Sequence, residues 1–472
     1  MSEVQQETLV ERTLTNLATA WRDIAQSAAR TVGLSKAPAS AKPESLKLLM
    51  QDCLEARGGE VSARMRAAAL GRVYLEQDAE GRKGFLTVLA REFAVSAEAV
   101  EEAVAAYQAA PTDAERLKAE RALRQALQPP RLRLLTQFNA LPEGVKFLVD
   151  LRADLLALRD LDPYLQGLDD DLRELLLSWF DTGFLDLRAI DWDSPASLLE
   201  KLVAYEAVHE ITSWQDLRNR LDSDRRCYAL FHPRMPDEPL AFVEVALVRG
   251  MSASIQALLD EHAPQMDPHQ ADAAIFYSIS NTQKGLKQIS FGDYLIKRVV
   301  QTLSREFPKL KIFSTLSPIP GFRRWLDNLS EGDLAAGFAP EDLAVLPAIS
   351  KERGLKQIVG EMLGTRNWPQ DPAVSGALQK PLTVLAARYL TSKRKDGQPL
   401  DSVARFHLRN GARLERLNWL GDTSANGMAW SAGLMVNYRY VVDDVEANHE
   451  AYMKDGHIAL GPEMRSLLKS SR

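Results

Sequence analysis

The sequence contains few cysteines and lacks any long apolar run. Two of its 472 residues are cysteine, Cys53 and Cys227, and neither has the spacing of a metal ligand or of a disulfide framework. We therefore expect buried, reduced thiols, as is usual in a reducing compartment. No stretch is long and apolar enough for a membrane span, and the N-terminus lacks the basic and apolar regions of a secretory signal. The cytoplasm is the expected compartment.

The composition is that of an ordinary folded protein, with 46% hydrophobic and 26% charged residues. The net charge of −6 argues against nucleic acid as the main partner, although it allows a local basic site for an anionic ligand. A chain of 472 residues exceeds the usual size of one hydrophobic core, which predicts two domains.

Several catalytic signatures are absent. There is no Walker loop, no G-x-G-x-x-G dinucleotide fingerprint and no G-x-S-x-G elbow, so the serines are not predicted to be hydrolase nucleophiles. The histidines other than His407 show no paired ligand spacing with cysteines or carboxylates, so no metal site is predicted. These are His209, His232, His262, His269, His449 and His457.

The first part of the chain, from Thr8 to about Phe180, repeats its apolar residues at helical spacing. Proline and glycine interrupt this pattern at intervals, which predicts six to eight helices joined by short turns. Because no histidine precedes His209, we expect this region, residues 1–180, to serve packing or subunit contact rather than catalysis.

The second part, residues 181–472, has strand-like segments that alternate with helices. We expect a mixed sheet flanked by helices. A Pro- and Asp-rich stretch between the first two predicted strands is interpreted as a hairpin loop. The predicted strands are Cys227–Phe231, Ala241–Val248, Ala274–Ile279, Leu310–Leu316, Leu414–Trp419 and Leu434–Val442.

The segment Asn281–Ser290 joins a predicted strand to a helix that begins near Ser290, and Ser290 and Asp293 have the spacing of a capping box. A helix N-terminus presents unpaired N–H groups, so this loop is suited to a phosphate. Its glycines would let the backbone approach a ligand, and its lysines add positive charge: Gly285, Gly292, Lys284 and Lys287. The alternative is a loop with glycine and lysine for turn geometry and solubility alone.

Ser317 and His407 are the strongest candidates for chemistry. Ser317 precedes Pro318, which ends a strand and leaves the hydroxyl on its rim. His407 lies in the last turn of a helix that starts at Asp401 or Ser402, just before a left-handed cap at Asn410–Gly411. A serine that binds an anion and a histidine that delivers a proton suit a decarboxylation. The alternatives are a plain Ser-Pro strand end and a buried core histidine.

The helix macrodipole favours a charged imidazole at a helix C-terminus, so we expect a raised pKa for His407. A histidine that is partly protonated near neutral pH suits a general acid.

Five segments together resemble malonyl-CoA decarboxylase: Phe276–Ser280, Leu295–Val300, Phe313–Phe322, Phe406–Gly411 and Gly433–Tyr440. The resemblance implies an α+β protein with two domains, an N-terminal all-α helical bundle and a GNAT-like mixed α/β acyl-CoA domain. It implies Ser317 and His407 as active-site residues, no metal or cofactor beyond the CoA of the substrate, and a homotetramer assembled through the helical domain. The implied CoA-phosphate loop consists of Lys287, Gln288, Ile289, Ser290, Phe291, Gly292 and Asp293.

The expected reaction converts malonyl-CoA to acetyl-CoA and CO2. Ser317 would hold the malonyl carboxylate, backbone N–H groups would steady the enolate oxygen, and His407 would protonate the α-carbon. Two alternatives stay open at this point. One is an N-acyltransferase in which His407 deprotonates an amine, and the other is a non-catalytic acyl-CoA-binding regulator.

Overall fold

The structure is a computed structural model that describes residues 17, 19–21, 42–55, 59–158, 162–289, 291–349, 354–365 and 367–469. The chain divides into two compact units. The first comprises Met1–Asp186, Leu230–Leu240 and Asn281–Phe291, and the second comprises Leu187–Ala229, Ala241–Ser280 and Gly292–Arg472. The boundary expected at residue 180 stays a prediction, since these units are not contiguous in sequence.

The first unit is built mainly from helices. Leu17 and residues 19–21 are helical, and the described ranges from residue 42 to residue 180 contain eight further helices, close to the six to eight predicted. They are Pro43–Leu54 (α1), Gly59–Leu75 (α2), Ala79–Glu92 (α3), Ala97–Ala109 (α4), Asp113–Ala126 (α5), Pro130–Phe138 (α6), Gly144–Leu156 (α7) and Pro163–Trp179 (α8). The parts of the prediction that concern residues 8–16, 18, 22–41, 56–58 and 159–161 lie outside the described residues.

The starts of these helices follow their sequence signals. Proline occupies the first turn of α1, α6 and α8, where a missing N–H removes no helical hydrogen bond. The side chains of Asp78, Ser96 and Thr112 accept hydrogen bonds from backbone N–H groups in the first turns of α3, α4 and α5. Each such cap contributes about 1 kcal/mol, so local chemistry sets the element boundaries here.

Aromatic side chains pack against one another within the largely aliphatic core of the helical unit. The fully buried Trp21 ring lies 4.8 Å from Phe147 and 6.0 Å from Phe138, and Tyr74 packs edge-on against Phe147 at 5.6 Å between ring centroids. Trp21 Nε1 donates a hydrogen bond to the carbonyl oxygen of Pro142 at 2.9 Å. Burial of each such side chain stabilises the fold by about 2 kcal/mol, and the hydrogen bond removes the penalty for burying the indole N–H.

The second unit contains most of an eight-stranded sheet. Its strands are Asp186–Ile190 (β1), Arg225–His232 (β2), Met235–Val248 (β3), Ala273–Asn281 (β4), Ile312–Thr315 (β5), Ser317–Pro318 (β6), Arg413–Asn418 (β7) and Met435–Tyr440 (β8). The strand order is β1-β2-β3-β4-β5-β8-β6, and β7 also pairs with β8.

The sheet is mixed. β4 and β5 run parallel, with Phe276 opposite Thr315, whereas β8 is antiparallel to β5, β6 and β7. Parallel neighbours need a crossover connection, and the helix Gly292–Glu306 provides it between β4 and β5. The predicted architecture, an all-α region followed by a mixed α/β region, is confirmed, and the GNAT-like character of the second region stays a prediction.

In the second unit, thirteen helices precede, separate or follow the strands along the sequence. They are Ala196–Tyr205 (α9), Trp214–Arg220 (α10), Ile255–Leu258 (α11), Gly292–Glu306 (α12), Phe322–Asp327 (α13), Glu331–Ala335 (α14), Pro340–Ile349 (α15), Leu355–Gly364 (α16), Pro372–Thr391 (α17), Ser402–Arg409 (α18), Ala425–Ser431 (α19), Val445–Asp455 (α20) and Pro462–Lys469 (α21).

The hairpin between the first two predicted strands is tighter than expected. β3 already begins at Met235, so Pro233 and Arg234 alone connect it to β2. The predicted hairpin is present, but β3 starts earlier than the predicted Ala241 because the strand tolerates Pro236 near its start, where the side chain is exposed. The short strand β1 was not predicted, since five residues with mixed burial carry too little periodicity.

None of the helices in the described ranges has the length and apolar character that crossing a lipid bilayer requires.

Candidate active site

One face of the sheet brings together four polar side chains from β5, β6 and β8. Phe313 lies opposite Tyr440 and Ser317 lies opposite Val436 in the antiparallel register. Alternation along each strand then places Thr315 and Ser317 on the same face as Tyr438 and Tyr440. The backbone N–H of Tyr438 donates to Thr315 Oγ1 at 3.1 Å, which ties the two strands at this point.

Helix α18 carries His407 onto this face. The side chain of Asp401 caps its N-terminus by accepting from the backbone N–H of Ala404 at 2.8 Å, and Gly411 adopts φ of +78° just after its end. Both boundaries were predicted from the sequence and are confirmed. The helix buries Ala404, His407 and Leu408, so its amphipathic pattern turns the imidazole inward.

The structure brings Ser317 and His407 together. Ser317 Oγ lies 3.3 Å from His407 Nε2, and His407 Nδ1 lies 2.8 Å from the hydroxyl of Tyr440. The two residues are nearly buried, with 6% of Ser317 and 3% of His407 exposed. Their predicted convergence is therefore present, and their catalytic roles stay predictions.

The hydrogen bonds define a consistent placement of protons. Ser317 Oγ donates to Thr315 Oγ1 at 2.8 Å, so its hydrogen is not directed at the imidazole. His407 Nε2 must then carry a hydrogen and donate it to Ser317 Oγ. In a neutral imidazole this leaves Nδ1 as an acceptor for the Tyr440 hydroxyl. The Nε2–H bond therefore points to the position where a ligand would meet Ser317.

The pKa of His407 is lower than expected. Burial of the imidazole lowers it from 6.5 to about 3, whereas the position near a helix C-terminus had predicted a raised pKa. The expectation was wrong because removal of a charge from water outweighs the macrodipole, which contributes about 0.3–1 kcal/mol at an exposed terminus. Near neutral pH His407 is consequently a neutral donor in this structure.

Two tyrosines that the sequence reasoning did not single out complete the surroundings of His407. The Tyr438 ring stacks on the imidazole with centroids 4.6 Å apart and an interplanar angle of 25°. Tyr440 approaches edge-on and supplies its hydroxyl to Nδ1. Their i, i+2 spacing in the strand-like segment Leu434–Val442 was the available signal, but it identifies a shared face without identifying what that face contacts.

The predicted phosphate loop lies between β4 and α12. A 3-10 turn at Lys284–Leu286 is followed by the exposed residues Lys287 and Gln288, and Gln288 has a left-handed backbone with φ of +70°. Ile289, Phe291 and Gly292 are buried. Ser290 and the side chain of Asp293 lie outside the described residues, and with them the predicted capping box.

Both loop glycines are needed for packing within the protein. A Cβ on Gly285 would lie 1.8 Å from the carbonyl oxygen of Val149, and one on Gly292 would lie 2.2 Å from the ring of Phe406. Their predicted function, close approach of the backbone to a ligand, stays a prediction. Gly285 lets the loop contact helix α7, whereas Gly292 lets α12 begin beside the residue that precedes His407.

A buried arginine holds the loop in place. Arg152 Nη1 donates to the carbonyl oxygens of Gly285 at 2.6 Å and Lys287 at 3.0 Å, and Arg152 Nε donates to Asp169 Oδ1 at 2.8 Å. Arg152 and Asp169 are both buried, so each compensates the charge of the other. Sequence reasoning missed Arg152 because its helix carries no feature that separates a loop anchor from an ordinary exposed arginine.

Within the described ranges, no group of three or more His, Cys, Asp or Glu side chains is arranged to hold a metal ion. Cys53 and Cys227 are buried free thiols, and burial raises the pKa of Cys53 to about 12. A protonated thiol is a poor nucleophile, so neither cysteine competes with Ser317 and His407 for a catalytic role.

Comparisons with known proteins agree on one family. Its models match as the malonyl-CoA decarboxylase N-terminal domain over residues 93–180 and the C-terminal domain over residues 183–472. The mitochondrial malonyl-CoA decarboxylase of Anser anser anser is 37% identical over 425 residues, covering 86% of this chain and 84% of the relative. The Mus musculus protein is 39% identical over 363 residues, covering 75% of this chain and 74% of the relative.

Solved structures give the same result. The crystal structure of malonyl-CoA decarboxylase from Rhodopseudomonas palustris is 42% identical, covers 91% of this chain and 100% of its own, and superposes with a TM-score of 0.80. The Agrobacterium vitis protein is 42% identical, with coverages of 90% and 99% and a TM-score of 0.79. The matches extend over most of both chains. This chain belongs to the malonyl-CoA decarboxylase family.

Proposed function

We propose that this protein decarboxylates malonyl-CoA to acetyl-CoA and CO2, with Ser317 and His407 at the reacting group. Family membership supports the reaction. The observation that carries the residue assignment is the buried hydrogen-bonded series Ser317 Oγ, His407 and Tyr440 hydroxyl. It combines an anion-binding hydroxyl and a proton donor at one point, which decarboxylation of a carboxylate requires.

Ser317 positions the malonyl carboxylate. Its hydroxyl rotates from Thr315 to a carboxylate oxygen and holds the breaking C–C bond perpendicular to the thioester plane. Electrons from that bond then flow into the thioester carbonyl, and CO2 leaves. The surroundings of Ser317 are nearly dry, so the carboxylate loses much of its hydration and the neutral product CO2 is favoured.

His407 protonates the α-carbon of the resulting enolate from Nε2. The imidazole is neutral before substrate binds, and the negative carboxylate raises its pKa on arrival because an adjacent anion favours the charged form. Tyr440 keeps Nδ1 engaged, so Nε2–H stays directed at the substrate. Each turnover takes up one proton, which replaces the carboxyl group on the α-carbon.

The segment Lys287–Asp293 is the proposed contact for the CoA phosphates. Lys284 and Lys287 place two exposed cations on the loop, and α12 begins at Gly292. Positive charge and free N–H groups at a helix start favour phosphate without a metal. The hydrogen bonds of Arg152 to the carbonyls of Gly285 and Lys287 fix the loop backbone before ligand arrives.

The reaction needs no cofactor, since CoA enters as part of the substrate and the carbonyl of the thioester accepts the electrons. We place the protein in the cytoplasm, a proposal supported by two free buried thiols. We propose a homotetramer assembled through the helical region, and a role in malonate and fatty acid metabolism. Light scattering of the purified chain, compared with a monomer mass of 52.5 kDa, tests the tetramer.

Incubation of the purified protein with malonyl-CoA tests the function directly. We expect equal amounts of acetyl-CoA and CO2, with Ser317→Ala and His407→Ala both strongly impaired. Acyl transfer to an added amine without CO2 release would identify an N-acyltransferase instead. Tight malonyl-CoA binding without turnover would identify a regulator.

A further inference from the structure

Thr315 lies at a break in the sheet, and 1% of it is exposed. It ends β5, and Ser317 begins β6, so the regular pairing with β8 is interrupted between them. Side chains replace backbone bonds at this break. Thr315 Oγ1 accepts from the backbone N–H of Tyr438 at 3.1 Å, and Asn437 Nδ2 donates to the carbonyl oxygen of Thr315 at 2.6 Å. These contacts and the branched Cβ restrict the Thr315 side chain to one orientation.

The oriented Thr315 hydroxyl determines what the Ser317 hydroxyl can do. Ser317 Oγ donates to Thr315 Oγ1 at 2.8 Å and lies 3.3 Å from His407 Nε2. A serine hydroxyl has one hydrogen to donate and two lone pairs with which to accept. Because Thr315 receives that hydrogen, Ser317 Oγ can only accept a hydrogen bond from the imidazole. The bond between the two residues is therefore directed from His407 to Ser317.

The opposite direction would give different chemistry. If Ser317 donated to Nε2, a neutral imidazole would carry its hydrogen on Nδ1, and the Tyr440 hydroxyl would have to accept it. A serine that donates to a histidine is the arrangement of an activated nucleophile. Such a histidine has no hydrogen on Nε2 to give to an α-carbon.

The observed direction suits both charge states of the imidazole in the proposed function. A serine oxygen that accepts from Nε2–H can do so when His407 is neutral and when it is charged. A Ser317 that donated to Nε2 would instead oppose uptake of the second proton as the malonyl carboxylate arrives. A pair that delivers a proton therefore needs a separate acceptor for the serine hydrogen, and Thr315 is the acceptor in this structure.

We propose that Thr315 is a positioning residue that sets the direction of the Ser317–His407 hydrogen bond, an inference that rests on the proposed decarboxylation. Thr315 holds the Ser317 hydrogen away from the imidazole while the site is free. When the malonyl carboxylate binds, that hydrogen turns from Thr315 to a carboxylate oxygen. Nε2–H stays directed at Ser317 and the substrate throughout.

Thr315→Val tests the inference, because valine has the shape of threonine without the hydroxyl. We expect kcat to fall about tenfold, the effect of losing one neutral hydrogen bond. The dissociation constant of acetyl-CoA should change by less than about twofold, because the product has no carboxylate for Ser317 to bind. Thr315→Ser keeps the hydroxyl and should retain kcat to within about threefold of the wild-type value.

A double-mutant cycle separates this role from a purely structural one. Thr315→Val also removes the acceptor for the Tyr438 N–H, and that loss does not depend on Ser317. In a Ser317→Ala protein there is no serine hydrogen to direct, so adding Thr315→Val should lower kcat by less than about twofold. A full tenfold loss in that background would show that Thr315 acts on the fold alone and would overturn the inference.

Nitrogen NMR of the histidines measures the tautomer directly. The chain has seven histidines, and the signals of His407 are those missing from His407→Gln. We expect the hydrogen on Nε2 in the wild-type protein, and a larger population with the hydrogen on Nδ1 in Thr315→Val. An unchanged tautomer in the variant would overturn the inference. So would a hydrogen on Nδ1 in the wild-type protein, a result that does not require any variant at residue 315 to fold.

Thr302→Val is the matched control. It removes a threonine hydroxyl that donates to the carbonyl oxygen of Arg298 at 2.9 Å within α12, and it should keep the wild-type kcat and tautomer. If Thr315→Val does not fold, Thr315→Cys takes its place, since a thiol is a weak hydrogen-bond partner. Wild-type kcat in the variant would overturn the inference and leave the decarboxylase assignment intact. A wild-type protein that forms no acetyl-CoA from malonyl-CoA would overturn both.

Discussion

Replacement of Tyr440 by phenylalanine tests how the imidazole is oriented. The substitution keeps the ring that packs against Phe276 at 6.4 Å and removes only the hydroxyl that donates to His407 Nδ1. An unsatisfied buried acceptor costs about 1–3 kcal/mol. If this loss appears in the transition state, kcat falls about 5- to 150-fold, since about 1.4 kcal/mol corresponds to a factor of ten.

The assay is steady-state formation of acetyl-CoA, with the dissociation constant for acetyl-CoA measured in parallel. We expect that constant to change by less than about twofold, because the affected bond lies at the acyl end of the ligand. Tyr228→Phe is the control, since it removes a tyrosine hydroxyl that donates to Glu306 at 3.4 Å elsewhere in the same unit. A Tyr440→Phe protein with wild-type kcat would refute the assigned tautomer and the orienting role.

Further predictions concern catalysis, loop packing and pH. His407→Ala should lower kcat by about 100- to 10,000-fold and leave acetyl-CoA affinity, measured by calorimetry, nearly intact. Ser317→Ala should lower kcat in the same assay, because the carboxylate loses its hydroxyl partner. Gly285→Ala should lower Tm, because its Cβ would lie 1.8 Å from the Val149 carbonyl, whereas Gly84→Ala, with nothing within 4 Å, should maintain or raise Tm. Because folded His407 has a pKa of about 3 against 6.5 when unfolded, the unfolded state binds the extra proton between these values. The free energy of unfolding should therefore fall as pH drops through this window, and it should fall less steeply in His407→Gln. Urea titrations at several pH values measure this dependence. Equal slopes of unfolding free energy against pH in the two proteins would contradict a buried neutral His407.

Local signals were sufficient for much of the secondary structure. The cap at Asp401, the left-handed Gly411 and the prolines that start α1, α6 and α8 all act within a few residues of themselves, so their positions followed from the sequence. The proposed pair Ser317 and His407 was also identified from strand-end and helix-end chemistry. The distance of 3.3 Å between Ser317 Oγ and His407 Nε2 depends on the mixed sheet, which the pattern of elements had predicted.

Packing added a requirement that local reasoning did not supply. Gly285 and Gly292 were assigned to ligand approach, and in the structure Val149 and Phe406 occupy the space in which a Cβ at these positions would lie. The positions of these neighbours depend on contacts between segments far apart in sequence. A glycine in a loop therefore indicates a close approach without indicating what approaches it.

The sequence by itself determined the helical character of the first region, six of the eight strands, the absence of the common nucleotide and hydrolase motifs, and the resemblance that led to the family. Only the tertiary structure decided that Tyr438 and Tyr440 surround His407, and that the imidazole is neutral with its hydrogen on Nε2. The physical reason is that a pKa and a tautomer depend on the water excluded and the partners supplied by every neighbouring segment. Those neighbours are set by the register of β8 against β5 and β6 and by the packing of α18, which no short stretch of sequence specifies.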